Sequence, residues 1–83
     1  MGTRPQHNPA YQRLCKLLRK QRLASGLTLR ALAAKLKRPH SYVYKVEIGE
    51  RRIDPVEYVA WFRACGIDAA EAFGDLEKAT GGR

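Results

Sequence analysis

Apolar residues recur along this chain at the spacing of amphipathic helices. In the first such segment Leu14, Leu18 and Arg22 follow one another at i, i+4 and i+8, and Leu17 and Tyr11 widen the stripe. No stretch of the sequence alternates apolar and polar residues over the length of a strand, and no internal repeat is visible. The pattern therefore predicts an all-α fold, with five short helices at residues 9–25, 29–36, 40–48, 55–65 and 69–78.

Residues suited to helix ends support these boundaries. Asp54 and Glu57 have the spacing of a capping box, and Pro55 stands at the first helical position between them. Asp68 and Glu71 repeat the spacing before the last helix. The fourth and fifth helices therefore have the clearest predicted starts.

Only residues 37–39 separate the second predicted helix from the third. Pro39 is tolerated in a first helical turn, where its missing N–H would have no intrahelical partner. It also restricts Arg38 to extended geometry, which ends the second helix. Because two helices joined by so short a turn must cross steeply, the sequence indicates a helix-turn-helix.

A chain of 83 residues is long enough for one small domain. We expect a five-helix bundle with the helix-turn-helix at its second and third helices. The domain is predicted at residues 9–78, between a flexible basic arm at residues 1–8 and a flexible tail at residues 79–83.

Basic residues are concentrated in the N-terminal two-thirds of the chain. Residues 1–52 hold thirteen Lys and Arg against two Asp and Glu, a net charge of +11, whereas residues 53–83 carry a net charge of −3. A surface that is merely solvated would mix the two signs, so the asymmetry indicates a polyanionic partner. Charge alone leaves DNA, RNA and acidic lipid as alternatives.

Residues for metal, cofactor or catalytic chemistry are sparse. Cys15 and Cys65 stand fifty positions apart, and His7 and His40 do not complete a zinc-ligand spacing. We expect both cysteines to be reduced thiols at core or boundary positions, and we predict no metal, no cofactor and no small-molecule ligand. Paired carboxylates, an activated nucleophile and a phosphate-binding loop are not evident, so an enzyme is the least favoured class. No apolar run approaches the length of a membrane span, which favours a cytoplasmic protein.

Three motifs carry a family resemblance. They are L-T-L-R-A-L-A-A-K-L, then H-S-Y-V-Y-K-V-E-I-G-E-R-R, then D-P-V-E-Y-V-A-W-F-R-A-C-G-I-D. Over residues 12–76 they resemble the phage-repressor (lambda and Cro) type of helix-turn-helix, the xenobiotic-response-element (XRE) family. The resemblance implies that the third helix enters the DNA major groove and that the protein binds paired half-sites as a homodimer. Lys37 stands where relatives usually have glycine, Pro39 replaces their Ser or Thr cap, and Leu29 replaces a phosphate-binding Gln.

Arg22 and Glu47 are charged residues on apolar stripes. Val43, Val46 and Glu47 share one face of the third helix, and Arg22 extends the stripe of the first. Either charge would be costly to bury alone, whereas the two together are tolerated. In similar family members these positions form an internal ion pair, so we interpret Arg22 and Glu47 as a structural ion pair.

The opposite face of the third helix carries the predicted base-reading residues. The resemblance implies that four positions contact base edges, and their side chains suit the task, since Lys donates to guanine O6 and N7 while Ser and His are versatile partners. Packing of Tyr42 and Tyr44 at the helix margins and solvation of Lys45 are the alternatives. Ile48 either contacts a thymine methyl group or packs against the following loop. The predicted base-reading residues are His40, Ser41, Tyr44 and Lys45.

Basic residues and one helix N-terminus surround this helix and predict contacts with the DNA backbone. Free amides at the start of the second helix point outward, and cations lie in the turn and after the third helix. Any one of these side chains could simply be solvated, but the ring that they form favours phosphate binding. The predicted backbone contacts are Thr28, Arg30, Lys37, Arg38, Tyr42, Arg51 and Arg52.

Aromatic residues are frequent in the acidic C-terminal third. The aromatic residues exceed what so small a core obviously needs; they are Tyr58, Trp61, Phe62 and Phe73. We predict that three of them, Tyr58, Phe62 and Phe73, form a dimer surface. The alternative is a core packed with larger side chains.

These features favour a sequence-specific double-stranded DNA-binding transcriptional regulator that acts as a repressor by occupying an operator. Such a protein would work in the cytoplasm, at the nucleoid. The first alternative is a protein-interaction adaptor or antitoxin-like subunit, which would show an exposed apolar patch and salt-insensitive binding. An RNA binder would need a platform of stacking aromatic residues, which the sequence does not provide.

Overall fold

Five α-helices form within residues 8–81, the part of the chain that the computed structural model describes. Residues 1–7 of the predicted arm and residues 82–83 of the predicted tail lie outside the described residues. Residues 8–81 contain no strand, so the all-α prediction is confirmed, and no helix among them is both long and apolar enough to cross a membrane. The helices are α1 (Pro9–Ala24), α2 (Leu29–Leu36), α3 (His40–Glu47), α4 (Pro55–Ala64) and α5 (Ala69–Thr80).

Local capping explains where the helices begin. In the capping box predicted for α4, Glu57 N donates to Asp54 Oδ1 at 2.8 Å and Asp54 N donates to Glu57 Oε1 at 3.0 Å. Asn8, which the prediction assigned to the arm, is the N-cap of α1. Four helices follow a side chain that accepts first-turn N–H groups. These caps are Asn8, Thr28, Asp54 and Asp68.

The core lies where α4 meets the inner faces of the other helices. Trp61 of α4 is fully buried, and its Nε1 donates to the carbonyl oxygen of Leu18 in α1 at 3.2 Å. Leu32 of α2 and the two valines of α3, Val43 and Val46, are fully buried as well. Since burial stabilises by about 25 cal/mol per Å² of apolar surface, these side chains hold α3 firmly by one face. The other face of α3 is left at the surface.

The aromatic residues of the predicted dimer surface belong mostly to the core. Tyr58 and Phe62 are buried and pack edge to face, with 5.2 Å between their ring centroids. Phe73 of α5 contacts the two rings at 5.7 and 5.4 Å and keeps 44% of its surface exposed. The structure corrects the prediction for Tyr58 and Phe62, because the packing of α5 against α4 encloses both rings.

The two cysteines are free and buried, as predicted. Loss of contact with water disfavours the thiolate, so burial raises the pKa of both Cys15 and Cys65. Among residues 8–81, no three His, Cys, Asp or Glu side chains are grouped as metal ligands.

Candidate nucleic-acid interface

Helix α3 presents one face to the core and the other to solvent. Val43 and Val46 point inward, and the helical period turns the positions between them outward. Every predicted base-reading residue is exposed, which leaves its donors and acceptors available. This outer face of α3 consists of His40, Ser41, Tyr44 and Lys45.

A left-handed residue closes the turn between α2 and α3. Lys37 has φ 56° and ψ 45°, and within residues 8–81 no other residue except glycine has a positive φ. In this conformation Lys37 N donates to Ala34 O at 3.1 Å and Arg38 N donates to Ala33 O at 3.0 Å, so two carbonyls of the last turn of α2 are satisfied. The turn therefore keeps the backbone geometry that glycine favours, with a lysine in glycine's place.

Pro39 marks the start of α3 without capping it. It occupies the N-cap position at φ −58° and ψ 155°, and it provides no side-chain acceptor. Its carbonyl oxygen accepts from Tyr42 N at 3.0 Å. The predicted boundary at His40 is confirmed, and the first amides of α3 have no side-chain cap.

Two of the arginines predicted to contact phosphate share one carboxylate. Arg38 Nη2 donates to Glu57 Oε2 at 3.1 Å, and Arg51 Nη2 donates to the same oxygen at 2.8 Å. The side chain of Glu57 is 12% exposed, whereas those of Arg38 and Arg51 are 41% and 40% exposed. The carboxylate is therefore enclosed, and the two guanidinium groups remain partly open to solvent.

Tyr42 lies under these arginines, in the core. The residue is 6% exposed, and its ring centroid lies 6.5 Å from that of Trp61. The guanidinium carbons of Arg38 and Arg51 stand 4.7 and 5.1 Å from the Tyr42 centroid, within the range of cation–π attraction. Burial, followed by the nearby Glu57 carboxylate, raises the pKa of the Tyr42 hydroxyl. The structure thus corrects the backbone contact predicted at Tyr42, because the ring packs inward and carries the two arginines.

Arg52 is held against the first helix by Tyr11. Its guanidinium carbon lies 4.3 Å from the Tyr11 ring centroid, and Ile53 N donates to the Tyr11 hydroxyl at 3.0 Å. These contacts fix the loop after α3 while Arg52 stays exposed. The other predicted backbone contacts, at exposed positions around α2, are Thr28, Arg30 and Lys37.

Arg22 and Glu47 form a buried bidentate ion pair. Arg22 Nε donates to Glu47 Oε2 at 2.7 Å, and Nη2 donates to Oε1 at 3.1 Å. Arg22 Nη1 also donates to the carbonyl oxygen of Leu27 at 3.0 Å. The hydrogen bonds with Glu47 raise the pKa of Arg22. By joining α1, the loop before α2 and the end of α3, the pair fixes the orientation of α3.

Glu57 and Tyr11 are the two contributors to this surface that sequence reasoning missed. The prediction gave Glu57 a capping role only, and it placed Tyr11 on the apolar stripe of the first helix. A signal for Glu57 was present, because it is an acidic residue that follows two basic stretches, at residues 35–38 and 51–52. For Tyr11 the sequence offers no such signal.

Comparison with known proteins identifies the family. The profile of a helix-turn-helix domain family matches residues 13–72. A solved structure described as an XRE-family like protein from Pseudomonas syringae pv. tomato str. DC3000 is 43% identical in sequence, with a TM-score of 0.78 over 89% of this chain and 90% of that chain. The chain belongs to the XRE family. A search of curated proteins gave no match.

Membership in the XRE family makes the chain a DNA-binding regulator of the helix-turn-helix type. In this XRE-family domain α2 and α3 are the two helices of the motif, and residues 37–39 are the turn. The predicted family and the predicted five-helix architecture are both confirmed.

Proposed function

We propose that this XRE-family protein is a sequence-specific repressor that binds double-stranded DNA and reads the major groove with α3. The observation that carries the proposal is the exposed outer face of α3, with exposed basic residues before and after it in the chain. The major groove of B-DNA is wide enough to admit an α-helix. Occupancy of an operator would exclude other proteins from the same DNA, and the protein would act in the cytoplasm, at the nucleoid.

Base reading is proposed for the outer face of α3. Lys45 can donate to O6 and N7 of guanine, while Ser41 and His40 can each donate or accept a hydrogen bond. Tyr44 offers a hydroxyl group and an apolar ring. Ile48, exposed at the end of α3, has the apolar surface that a thymine methyl group would contact.

Backbone contact is proposed for the exposed and partly exposed polar and basic residues around α3. Contacts with phosphate fix the register of a protein on the duplex and carry no sequence information directly. The supporting observation is that these side chains come from the start of α2, the turn and the loop after α3. The proposed backbone contacts are Thr28, Arg30, Lys37, Arg38, Arg51 and Arg52.

A homodimer is part of the proposal, since two half-sites one helical turn apart would need two copies of α3. Phe73 is the predicted dimer residue that stays exposed, and Val56 in the first turn of α4 is 79% exposed. A shallow apolar groove adjoins Phe73. Light scattering on Phe73→Ser should show loss of the dimer. Leu23→Ser, which changes an exposed leucine on α1, is the control.

A protein-interaction adaptor or antitoxin-like subunit is the alternative that the same exposed apolar residues favour. Binding of a protein partner through Val56 and Phe73 would depend little on salt, because apolar burial involves no release of counterions. DNA binding weakens steadily as the salt concentration rises. The salt dependence of the tightest interaction therefore separates the two functions.

Selection from a random duplex library, at low and at high salt, tests the proposed function. We expect a consensus that contains two inverted half-sites and that survives the higher salt concentration. Failure to recover a consensus at either salt concentration would contradict sequence-specific binding. A consensus with one unpaired half-site would contradict the dimer.

A further inference from the structure

Glu57 connects three segments of the chain, namely the turn before α3, the loop after α3 and the first turn of α4. Its Oε2 accepts from Arg38 and Arg51, and its Oε1 accepts from Asp54 N at 3.0 Å and from Arg51 Nη1 at 3.4 Å. Arg51 Nη1 also donates to the carbonyl oxygen of Arg52. Both terminal nitrogens of Arg51 are therefore engaged within the protein.

The cluster carries two positive charges and one negative charge. The Tyr42 ring packs against both guanidinium groups and forms the apolar base of the cluster. Guanidinium groups bind phosphate oxygens through charge-assisted hydrogen bonds, often two at a time. A DNA phosphate beside α3 would meet the partly exposed Arg38 and Arg51, with the enclosed carboxylate of Glu57 behind them.

We infer that Arg38 and Arg51 form a clamp for one DNA backbone phosphate, and that Glu57 is a positioning residue that holds this clamp and limits its affinity. The inference rests on the proposed DNA-binding function. Glu57 aligns both guanidinium groups before DNA arrives, and it competes with the phosphate for the donors of Arg51. A weaker contact with phosphate leaves a larger share of the binding free energy to the outer face of α3, where the bases are read.

Glu57→Gln separates this role from helix capping, because Gln at the third helical position also completes a capping box. The variant removes one negative charge at nearly constant size. Filter binding to a short duplex of mixed sequence, over a range of NaCl concentrations, measures the effect. Binding should tighten by about threefold to tenfold, as expected for removing a like charge a few ångströms from the phosphate, and the salt dependence should become steeper.

Glu50→Gln is the matched control, because it removes the same charge from an exposed position in the loop after α3. We expect it to tighten binding much less than Glu57→Gln does. In a protein that already carries Arg38→Gln and Arg51→Gln, Glu57→Gln should change the affinity much less, because no guanidinium group remains to hold a phosphate beside residue 57. Circular dichroism of each variant checks that the fold is intact.

The outcomes distinguish the inference from the function on which it rests. If wild type binds the duplex but Glu57→Gln binds no more tightly than Glu50→Gln, the inference is overturned and the proposed function stands. The same holds if Glu57→Gln binds more weakly than wild type. If wild type binds no duplex even at low salt, the proposed function is overturned together with the inference.

Discussion

At the scale of single residues, Lys37 shows that the helix-turn-helix accepts local backbone strain. A left-handed conformation costs a residue with a Cβ about 1–2 kcal/mol, and glycine adopts it without that steric cost. The conformation persists because it satisfies two carbonyls in the last turn of α2, those of Ala33 and Ala34. In the proposed complex the lysine also places a charge beside the DNA backbone.

Lys37→Gly should raise the free energy of unfolding by about 1 kcal/mol, because relief of the strain outweighs the added freedom of the unfolded chain. Urea denaturation followed by circular dichroism measures the change. Lys35→Gly, at a helical position in the last turn of α2, should lower the same free energy by about 1 kcal/mol. A destabilised Lys37→Gly protein would contradict the interpretation of strain.

Glu47→Ala should lower the free energy of unfolding by about 3–5 kcal/mol, because it leaves the Arg22 guanidinium buried without its counter-ion. Thermal denaturation followed by circular dichroism tests this expectation. Glu50→Ala, which removes an exposed carboxylate three positions later, should leave the melting temperature almost unchanged. A melting temperature for Glu47→Ala that equals that of wild type would show that the pair does not stabilise the fold.

At the scale of helices, one hydroxyl group joins three elements. The Tyr58 hydroxyl on α4 donates to Ala72 O on α5 at 2.6 Å and accepts from Gln21 Nε2 on α1 at 2.9 Å. All three residues are buried, and Gln21 Oε1 has no hydrogen-bond partner. Polar contacts therefore add to apolar packing in setting the position of α5.

Tyr58→Phe should lower the free energy of unfolding by about 1–3 kcal/mol, because it leaves the buried Gln21 amide without its acceptor. Denaturant titration measures the loss. Adding Gln21→Leu should restore part of it, since that change removes both the stranded donor and the unpaired Oε1. If Tyr58→Phe is as stable as wild type, the hydrogen bonds of the Tyr58 hydroxyl do not contribute to stability.

Lys45→Ala should weaken binding to the selected duplex by about 1–3 kcal/mol and relax the preference at one base pair. The expected cause is loss of a donor on the outer face of α3. Lys20→Ala removes the same charge from an exposed position on α1 and serves as the control. If both variants weakened binding to all sequences equally, Lys45 would be a general electrostatic contributor and not a base reader.

The helices could be predicted from the sequence because their signals are local. Asp54 caps α4 by hydrogen bonding with Glu57, three positions along the chain. Pro39 marks the start of α3 because its ring restricts the backbone at that position. The burial of Tyr42, Tyr58 and Phe62 could not be predicted in the same way. Whether a ring at the margin of a helix meets solvent depends on how the neighbouring helices cross it, and no local pattern encodes that angle.

The candidate site also has a part that local sequence patterns predict and a part that depends on tertiary packing. The outer face of α3 follows from helical periodicity once Val43 and Val46 are assigned to the core. The cluster around Glu57 cannot be predicted from helical periodicity, because its arginines lie nineteen and six positions earlier in the chain. Only the packing of α4 beside the turn and the loop brings Arg38 and Arg51 to one carboxylate.

At the scale of the whole molecule, charge and burial determine the response to solution conditions. The chain carries a formal net charge of +8, so its field attracts polyanions before any contact forms. Burial raises the pKa of Tyr11, Tyr42 and Tyr58 above the ordinary value of 10.0. It also raises the pKa of Cys15 and Cys65 above 9.0.

The free energy of unfolding should therefore be highest below about pH 9 and should fall as the pH rises further. A group with a raised folded-state pKa releases its proton more readily in the unfolded chain, so alkali favours unfolding between the unfolded-state and folded-state pKa values. Melting temperatures measured across this range test the expectation. Replacing Cys15 and Cys65 with alanine should move the onset toward pH 10, where the tyrosines begin to titrate. A melting temperature of the wild-type protein that stays constant as the pH rises above 9 would contradict the expected loss of stability.

The position of Trp61 gives this protein a built-in optical reporter. Trp61 is the single tryptophan of the chain and is fully buried, and indole emission moves to longer wavelength when the ring reaches water. Tyr42 separates it from Arg38 and Arg51, with 6.5 Å between the two ring centroids. A phosphate held by these arginines would thus sit one aromatic ring away from the indole. Intrinsic fluorescence of the unlabelled protein should therefore follow unfolding and, in the proposed complex, DNA docking as well.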